Sequence, residues 1–94
     1  MKKIYIAGKI TGDINFVAKF EKGKRNMQDM GYMVLCPTII PYGFEYEDYM
    51  QICFAMIDVC KKVYFLKDWE QSPGATREYH YCKAKGYQMM FEEV

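Results

Sequence analysis

The sequence predicts one α/β domain, built from a four-stranded parallel sheet with helices on both of its faces. Short apolar runs alternate with stretches of helical periodicity along residues 1–94, in the order βαβαβαβ. Each connection between runs is long enough to hold a helix, as parallel neighbouring strands require. A chain of 94 residues with 51% hydrophobic side chains is sufficient for one core and too short for two domains.

The first strand is predicted over residues 3–7, where β-branched and aromatic side chains precede Gly8. A helix follows from Phe16 to about Met30, and Gly31 ends it. The evidence for this helix is one stripe of apolar or small residues at helical spacing: Phe16, Phe20, Gly23, Met27 and Met30.

The middle of the chain repeats the strand and helix pattern. Residues 32–36 form the second predicted strand, and residues 38–45 form a loop because proline and glycine interrupt both periodicities. Apolar residues at helical spacing then predict a helix over about 46–62, and a third strand follows at 63–66.

The last helix has a clear start signal. After a loop over 67–74, Ser72 is predicted to cap the helix and Pro73 to occupy its first turn. The helix is expected over about 75–85, and a fourth strand over 87–91.

Charge and hydropathy limit the classes of partner. Thirteen basic and twelve acidic residues give a net charge of +1 and are scattered, so the basic patch of a protein that binds a nucleic acid polymer is missing. The uncharged stretches are too short to span a bilayer, and only a four-residue apolar run follows Lys2 and Lys3 at the N-terminus. We therefore expect a cytoplasmic protein with no membrane partner.

The four cysteines do not form a metal-binding pattern. Cys36, Cys53, Cys60 and Cys82 are separated by 17, 7 and 22 residues, and zinc sites usually show paired ligands at short spacing. We expect reduced thiols in the core, no metal and no cofactor.

Three loops should meet where function is expected, at the carboxyl ends of the parallel strands: residues 8–13, 37–45 and 67–74. The first contains Gly8, Lys9, Ile10, Thr11 and Gly12, which match neither a dinucleotide fingerprint nor a P-loop. Its glycines would let backbone amides approach a ligand, while Thr11 offers a hydroxyl and Lys9 a charge. A tight turn that simply needs glycine is the alternative.

The start of the third helix is the most informative segment. Ser72 and the free amides there form an anion site, and Gly74 lacks a Cβ that would block a phosphate or carboxylate. Plain capping by Ser72 is the alternative. Glu78 lies near the inward stripe of the same helix, where a carboxylate could act as nucleophile or base, or could be an ordinary surface residue.

Aromatic side chains stand on two of these loops. Trp69, Tyr42 and Phe44 lie outside the strand and helix stripes, so they could stack on a planar base or pack over the edge of a cleft. His80 falls on a different helix face from Glu78 and is given no role.

Four segments, taken together, resemble the nucleoside 2-deoxyribosyltransferase superfamily: residues 5–12, 63–66, 68–69 and 72–78. The chain is most similar to its small, phage- and bacteria-associated branch, related to the 2'-deoxynucleoside 5'-phosphate N-hydrolases. The most specific part is a serine, a glycine and a glutamate, with Glu78 six residues after Ser72. The resemblance implies a flavodoxin-like, Rossmann-like fold and chemistry at the N-glycosidic bond of a nucleoside or its 5'-monophosphate.

The resemblance also implies roles for individual residues. Glu78 matches the nucleophile, which forms a glycosyl-enzyme ester and passes the sugar to a base or to water. Ser72 matches a serine that contacts a 5'-phosphate, and the loop from Gly8 to Gly12 matches the one that lines the sugar site. Family members form homodimers or larger homo-oligomers, in which a neighbouring subunit closes the pocket.

Two family aspartates are replaced in this chain, by Cys53 and by Lys61. Asp68, at the end of the third strand, is the better candidate for a second catalytic carboxylate. The sequence leaves open an N-glycosidase or deoxyribosyltransferase, a protein that only binds or sequesters a nucleotide, and an oligomeric scaffold with an aromatic surface.

Overall fold

The computed structural model describes residues 2–93, in which four β-strands alternate with three α-helices. Short 3-10 turns at Pro37–Ile39 and Trp69–Gln71 lie within the second and third of the loops predicted to carry function. In chain order the main elements are β1 (Lys3–Ala7), α1 (Phe16–Asp29), β2 (Met33–Leu35), α2 (Tyr46–Cys60), β3 (Lys62–Phe65), α3 (Pro73–Lys85) and β4 (Gln88–Phe91).

All four strands form one parallel sheet, in the order β2-β1-β3-β4. The central strand β1 pairs on both sides, so that Tyr5 lies opposite Leu35 of β2 and Val63 of β3. Strand order reverses between β1 and β3, and open α/β sheets bind ligands outside the carboxyl ends of the strands at such a point. The predicted parallel sheet is confirmed.

Helices cover both faces of this sheet, as predicted. Because successive strand residues point to opposite faces, Ile4 and Ile6 are buried on the α1 side, while Tyr5 and Ala7 are buried on the other side. Phe20 of α1 packs in the core cluster that contains Ile4 and Ile6. Helices α2 and α3 contribute buried side chains to the core cluster that contains Tyr5 and Ala7, among them Cys53, Ile57, Ala75 and Cys82.

The observed helix ends differ slightly from those expected. Helix α2 stops at Cys60 because Lys61 adopts a left-handed conformation with φ of 58°, while its amide still bonds to the Ile57 carbonyl. Strand β3 therefore starts at Lys62. Helix α3 begins at Pro73 with Ser72 as its cap, so the predicted start signal is confirmed, and the expected range of about 75–85 was two residues short at this end.

Gly8 lies where β1 ends and packs against the side chain of Leu66 in the neighbouring chain segment. A Cβ at this position would lie 2.8 Å from Leu66 Cδ1, closer than carbon atoms normally approach. The close approach places the loop after β1 directly beside the loop after β3, and these loops border the candidate site.

The sequence led us to expect buried, reduced cysteines and no membrane-spanning helix. Cys36, Cys53, Cys60 and Cys82 are all free and buried. Among residues 2–93, no helix has the length and apolar character needed to cross a bilayer.

Candidate active site

A cavity of about 920 Å³ opens at the carboxyl edge of the sheet. The loop after β1 forms one wall, the start of α1 and the segment from Pro37 to Phe44 form another, and the first turns of α2 and α3 form the rest. A cavity of this volume at the topological switch point is large enough for a small organic ligand.

Glu78 is a buried carboxyl group at the wall of this cavity. Its residue is 4% exposed, and its Oε2 accepts a 2.5 Å hydrogen bond from the Tyr5 hydroxyl. Burial raises the pKa of Glu78 to about 7, although hydrogen bonds from Tyr5 and Cys53 oppose that rise. At neutral pH the carboxyl group is therefore divided between its protonated and ionised forms.

Protonated side chains surround Glu78. Burial raises the pKa of the Cys53 thiol to about 12, and the negative charge of Glu78 adds to this rise. Burial likewise raises the pKa of Tyr49, which lines the cavity, and of Tyr5. These three groups keep their protons near pH 7, so Tyr5 and Cys53 can donate hydrogen bonds to an ionised Glu78, while Tyr49 bonds to Cys53.

The start of α3 presents a small set of polar groups to the cavity. The Ser72 Oγ accepts a 3.1 Å hydrogen bond from the Ala75 amide, and the Ser72 carbonyl accepts one from the Thr76 amide. Pro73 has no amide hydrogen, so the Ser72 hydroxyl hydrogen and the Gly74 amide are the groups at this turn that remain to donate to a ligand. Ser72 therefore caps the helix and also lines the cavity.

Gly74 leaves space at this turn. A Cβ here would lie 3.4 Å from Met50 Sδ, 3.8 Å from the Tyr46 hydroxyl and 3.9 Å from Ser72 Oγ. All of these residues line the cavity, so a side chain at Gly74 would occupy space that is open to a ligand.

The basic residue of this helix turn is engaged elsewhere. Arg77 donates two hydrogen bonds, of 3.0 and 3.2 Å, to the Glu47 carboxylate, and its guanidinium lies 5.4 Å from the centre of the Tyr46 ring. The basic side chain that lines the cavity is instead Lys9.

The first loop contributes four of its five predicted residues to the cavity wall: Gly8, Lys9, Ile10 and Thr11. Gly12 is exposed and is not among the lining residues. Its φ of 78° is in the left-handed region, so it serves the turn that leads into α1.

Asp68 lies outside the cavity wall. Its Oδ1 accepts a 3.2 Å hydrogen bond from the Lys9 amide, and its Oδ2 pairs with the Lys19 ammonium. The structure thus brings Asp68 to the outer side of the first loop and does not place it with Glu78 on the cavity surface.

The family of the chain follows from its sequence. The family model of the domain of unknown function DUF4406 matches residues 2–91. The chain belongs to the DUF4406 family. No curated protein matches its sequence.

A solved structure has the same fold. The 2-desoxiribosyltransferase from Leishmania mexicana superposes on this DUF4406 domain with a TM-score of 0.75 and 22% sequence identity. The match covers 97% of this chain and 63% of the other, so the DUF4406 domain spans less than two thirds of that protein. At this level of identity the similarity establishes the α/β fold.

The three rings that were candidates for stacking on a base fall into two groups. Tyr42 is 94% exposed and Phe44 is 51% exposed, and both line the cavity of the DUF4406 domain. Trp69 stacks instead on Tyr79, with ring centres 4.8 Å apart, and also contacts Phe65. Trp69 is not among the cavity-lining residues, and we leave it out of the candidate site.

Sequence analysis missed several residues around Glu78. Tyr5 was identified as part of a strand and of a segment that carries the resemblance, and Tyr49 only as part of a helix, without a role at the site. One signal was available for Tyr5, because a tyrosine in an otherwise aliphatic buried strand needs a partner for its hydroxyl. Glu21, an exposed residue of α1 that also lines the cavity, gave no comparable signal.

Proposed function

We propose that this DUF4406 domain cleaves the N-glycosidic bond of a small nucleoside or nucleoside 5'-monophosphate, with Glu78 as the nucleophile, and transfers the sugar to water or to another base. One observation carries this proposal: Glu78 is almost fully buried, yet it lines a cavity of about 920 Å³ and has a raised pKa. Carboxyl groups with this combination of burial and access are concentrated at catalytic sites.

The proposed reaction uses the ionised form of Glu78. A carboxylate oxygen attacks the anomeric carbon, the bond to the base nitrogen breaks, and its electron pair leaves with the base, which takes a proton from solvent. Water or a second base then attacks the anomeric carbon of the resulting ester and releases Glu78. The Tyr5 hydroxyl, 2.5 Å from Glu78 Oε2, holds the carboxylate in one orientation during both steps.

The rest of the cavity would hold the two ends of such a substrate. At one end the Ser72 hydroxyl, the Gly74 amide and the Lys9 side chain supply donors and positive charge for a 5'-phosphate or 5'-hydroxyl. At the other end, Tyr42 and Phe44 offer exposed rings for a planar base. The role of Ser72 agrees with the one that the family resemblance implies for it.

Self-association is part of this proposal. Ile39, Tyr42 and Phe44 expose 67%, 94% and 51% of their surface at the border of the cavity. A second copy of the chain that covers these side chains would bury apolar surface and exclude water from the reaction. Light scattering coupled to size-exclusion chromatography measures the molar mass of the assembly. A monomer at all protein concentrations would reject self-association.

A non-catalytic nucleotide-binding protein is the second candidate, and Cys53 favours it. Its thiol lies beside Glu78, at the position where the resemblance expects an aspartate, and its pKa is raised to about 12. A thiol that holds its proton so tightly is a poor acid toward a leaving base, and loss of an acid/base partner typically costs about 10² to 10⁴ in rate.

The test is a proton NMR time course with deoxynucleosides, ribonucleosides and their 5'-monophosphates. We expect the anomeric signal of one substrate class to decay while free base appears, and we expect Glu78→Gln to stop this without abolishing ligand line broadening. Glu70→Gln is the matched control, because Glu70 is an exposed glutamate outside the cavity. Line broadening without product would support the binding protein, and unchanged turnover in Glu78→Gln would reject the mechanism.

A further inference from the structure

We propose that Asp68 is a positioning residue, which fixes the substrate-binding loop from Gly8 to Gly12 through Lys9 and Lys19. It would thus act through the loop and not as a second catalytic carboxylate. The effect on ligand binding rests on the proposed function of the cavity, whereas the effect on the loop does not.

Both oxygens of Asp68 are engaged on the outer side of this loop. Oδ1 accepts a 3.2 Å hydrogen bond from the Lys9 amide, and Oδ2 pairs with the Lys19 ammonium. The Asp68 side chain is 12% exposed and the Lys19 side chain 34% exposed. A carboxylate that is largely shielded from water and held by two donors has a fixed position, and it fixes the Lys9 backbone in turn.

Lys19 joins the other end of the loop to the same cluster. Its ammonium also pairs with Asp13 Oδ2, while Asp13 Oδ1 accepts a 2.8 Å hydrogen bond from the Asn15 amide. The Asp13 amide donates to the Ile10 carbonyl across the turn. One lysine of α1 therefore connects carboxylates at the beginning of α1 and at the end of β3.

The cluster consists of charged groups in direct contact. Lys19 lies between two carboxylates, and its pKa is raised by their hydrogen bonds even though burial opposes this. The Asp13 pKa is lowered, first by its hydrogen bond from Lys19. These shifts have the sign expected when charged forms stabilise one another.

The loop needs an external restraint of this kind. Gly8 and Gly12 give its backbone conformational freedom, yet Lys9, Ile10 and Thr11 must keep fixed places because they form a cavity wall. A loop held in its binding conformation before the ligand arrives avoids the entropy cost of ordering during binding. The Asp68 and Lys19 contacts supply this restraint from the side opposite the ligand.

Two variants test the proposal, with one control. Asp68→Ala removes both contacts, and Lys19→Met removes the ammonium while keeping a long apolar stem. Lys22→Met is the matched control, because Lys22 is an exposed lysine of the same helix with no ion pair among residues 2–93. Lys19→Arg keeps the positive charge, so it should preserve much of the restraint on the loop.

The primary measurement is amide hydrogen exchange at Lys9 and Asp13, whose amides donate hydrogen bonds at the two ends of the loop, followed by NMR in each variant. We expect exchange to accelerate at least tenfold in Asp68→Ala and Lys19→Met, and to be unchanged in Lys22→Met. Unchanged exchange in both test variants would overturn the proposal. If Asp68→Ala does not fold, Lys19→Met alone decides.

The second measurement is NMR titration with the four common 2'-deoxynucleoside 5'-monophosphates. We expect both test variants to bind about tenfold more weakly, with any turnover falling through KM more than through kcat. A fall in kcat alone, with normal exchange and affinity, would overturn the proposal and make Asp68 catalytic. If the unmodified protein binds none of these nucleotides, they are rejected as substrates of the proposed function, while the exchange measurement still decides the role of Asp68.

Discussion

The Tyr5 hydroxyl donates a 2.5 Å hydrogen bond to the Glu78 carboxyl group, although the two residues lie 73 positions apart in the sequence. Tyr5 is on the central strand β1 and Glu78 is on α3, which packs on the same face of the sheet. This contact ties the proposed nucleophile to a fully buried residue of the sheet. It also links the chemistry of the cavity to the stability of the fold.

Glycosidic cleavage should increase with pH through about 7. The proposed nucleophile is the ionised carboxylate, and the pKa of Glu78 is about 7. We expect kcat/KM to rise about tenfold per pH unit below that value and to reach a plateau above it. The measurement is the NMR rate from pH 5 to pH 9, and a rate that falls across this range would contradict the assignment of Glu78.

Glu78 should make the folded state less stable as pH rises. Its pKa is about 7 in the folded protein against an ordinary value of 4.5, so the folded state binds more protons than the unfolded state between these values. Its stabilising effect is complete below about pH 4.5 and is lost as pH rises through 7, which amounts to about 3 kcal/mol in the free energy of unfolding.

The Glu78→Gln variant isolates this effect, because glutamine has nearly the same shape and does not titrate. We expect urea denaturation to give similar stabilities for the two proteins at pH 5 and a more stable variant at pH 8. Tyr5, Tyr49 and Cys53 do not complicate the comparison, since their pKa values are raised. Parallel stability curves at all pH values would contradict a raised pKa.

Tyr5→Phe should raise the pKa of Glu78 further. The variant removes a hydrogen bond that lowers this pKa, so the pH profile of cleavage should move to higher pH. Loss of a hydrogen bond to a charged group should also cost about 1.5 to 3 kcal/mol of stability above pH 7. Tyr87→Phe is the control, since the Tyr87 hydroxyl bonds to Asp58 instead, and its pH profile should not move.

Ser72→Ala should affect both stability and binding. Loss of the 3.1 Å bond from the Ala75 amide should cost about 1 kcal/mol in the free energy of unfolding. Loss of the hydroxyl should weaken binding of a nucleoside 5'-monophosphate more than binding of the nucleoside. Titration calorimetry with both ligands measures the difference between these two losses. Ser72→Thr keeps a hydroxyl and should retain most of the affinity for the 5'-monophosphate. Equal losses for both ligands would argue against a phosphate contact.

Gly8→Ala should destabilise the domain by about 1 to 3 kcal/mol, because the added methyl group would lie 2.8 Å from Leu66 Cδ1. Chemical denaturation provides the measurement. If the contact is the cause, the loss should be smaller when Gly8→Ala is introduced into a Leu66→Ala background. Strictly additive losses would locate the cause elsewhere in the loop.

The sequence predicted the fold well because its signals are local. Periodicity located each strand and helix, and serine followed by proline located the start of α3 within two residues. Helix ends that depend on a single backbone conformation were less accurate, as at Lys61, where a left-handed residue stops α2. Nothing in the sequence around a lysine predicts that it will adopt this conformation.

The site was predicted less completely, because it depends on contacts between distant segments. The spacing of Ser72 and Glu78 within one helix was readable, and both line the cavity. Asp68 and Trp69 also lie in the loop after β3, yet Asp68 pairs with Lys19 and Trp69 stacks on Tyr79. Sequence position placed both residues at the correct edge of the sheet but could not give the direction of their side chains.

The sequence by itself determined the order of elements and the parallel sheet, because periodicity, capping and chain connectivity are properties of neighbouring residues, and its resemblance to a known family singled out Glu78. Only the tertiary structure decided which groups surround that glutamate. The Tyr5 hydroxyl and the Cys53 thiol reach Glu78 from other elements, and burial between the packed segments raises its pKa to about 7 against the opposing effect of their hydrogen bonds. Desolvation and long-range hydrogen bonding arise only when the segments are packed together, so the sequence could not show which groups would meet.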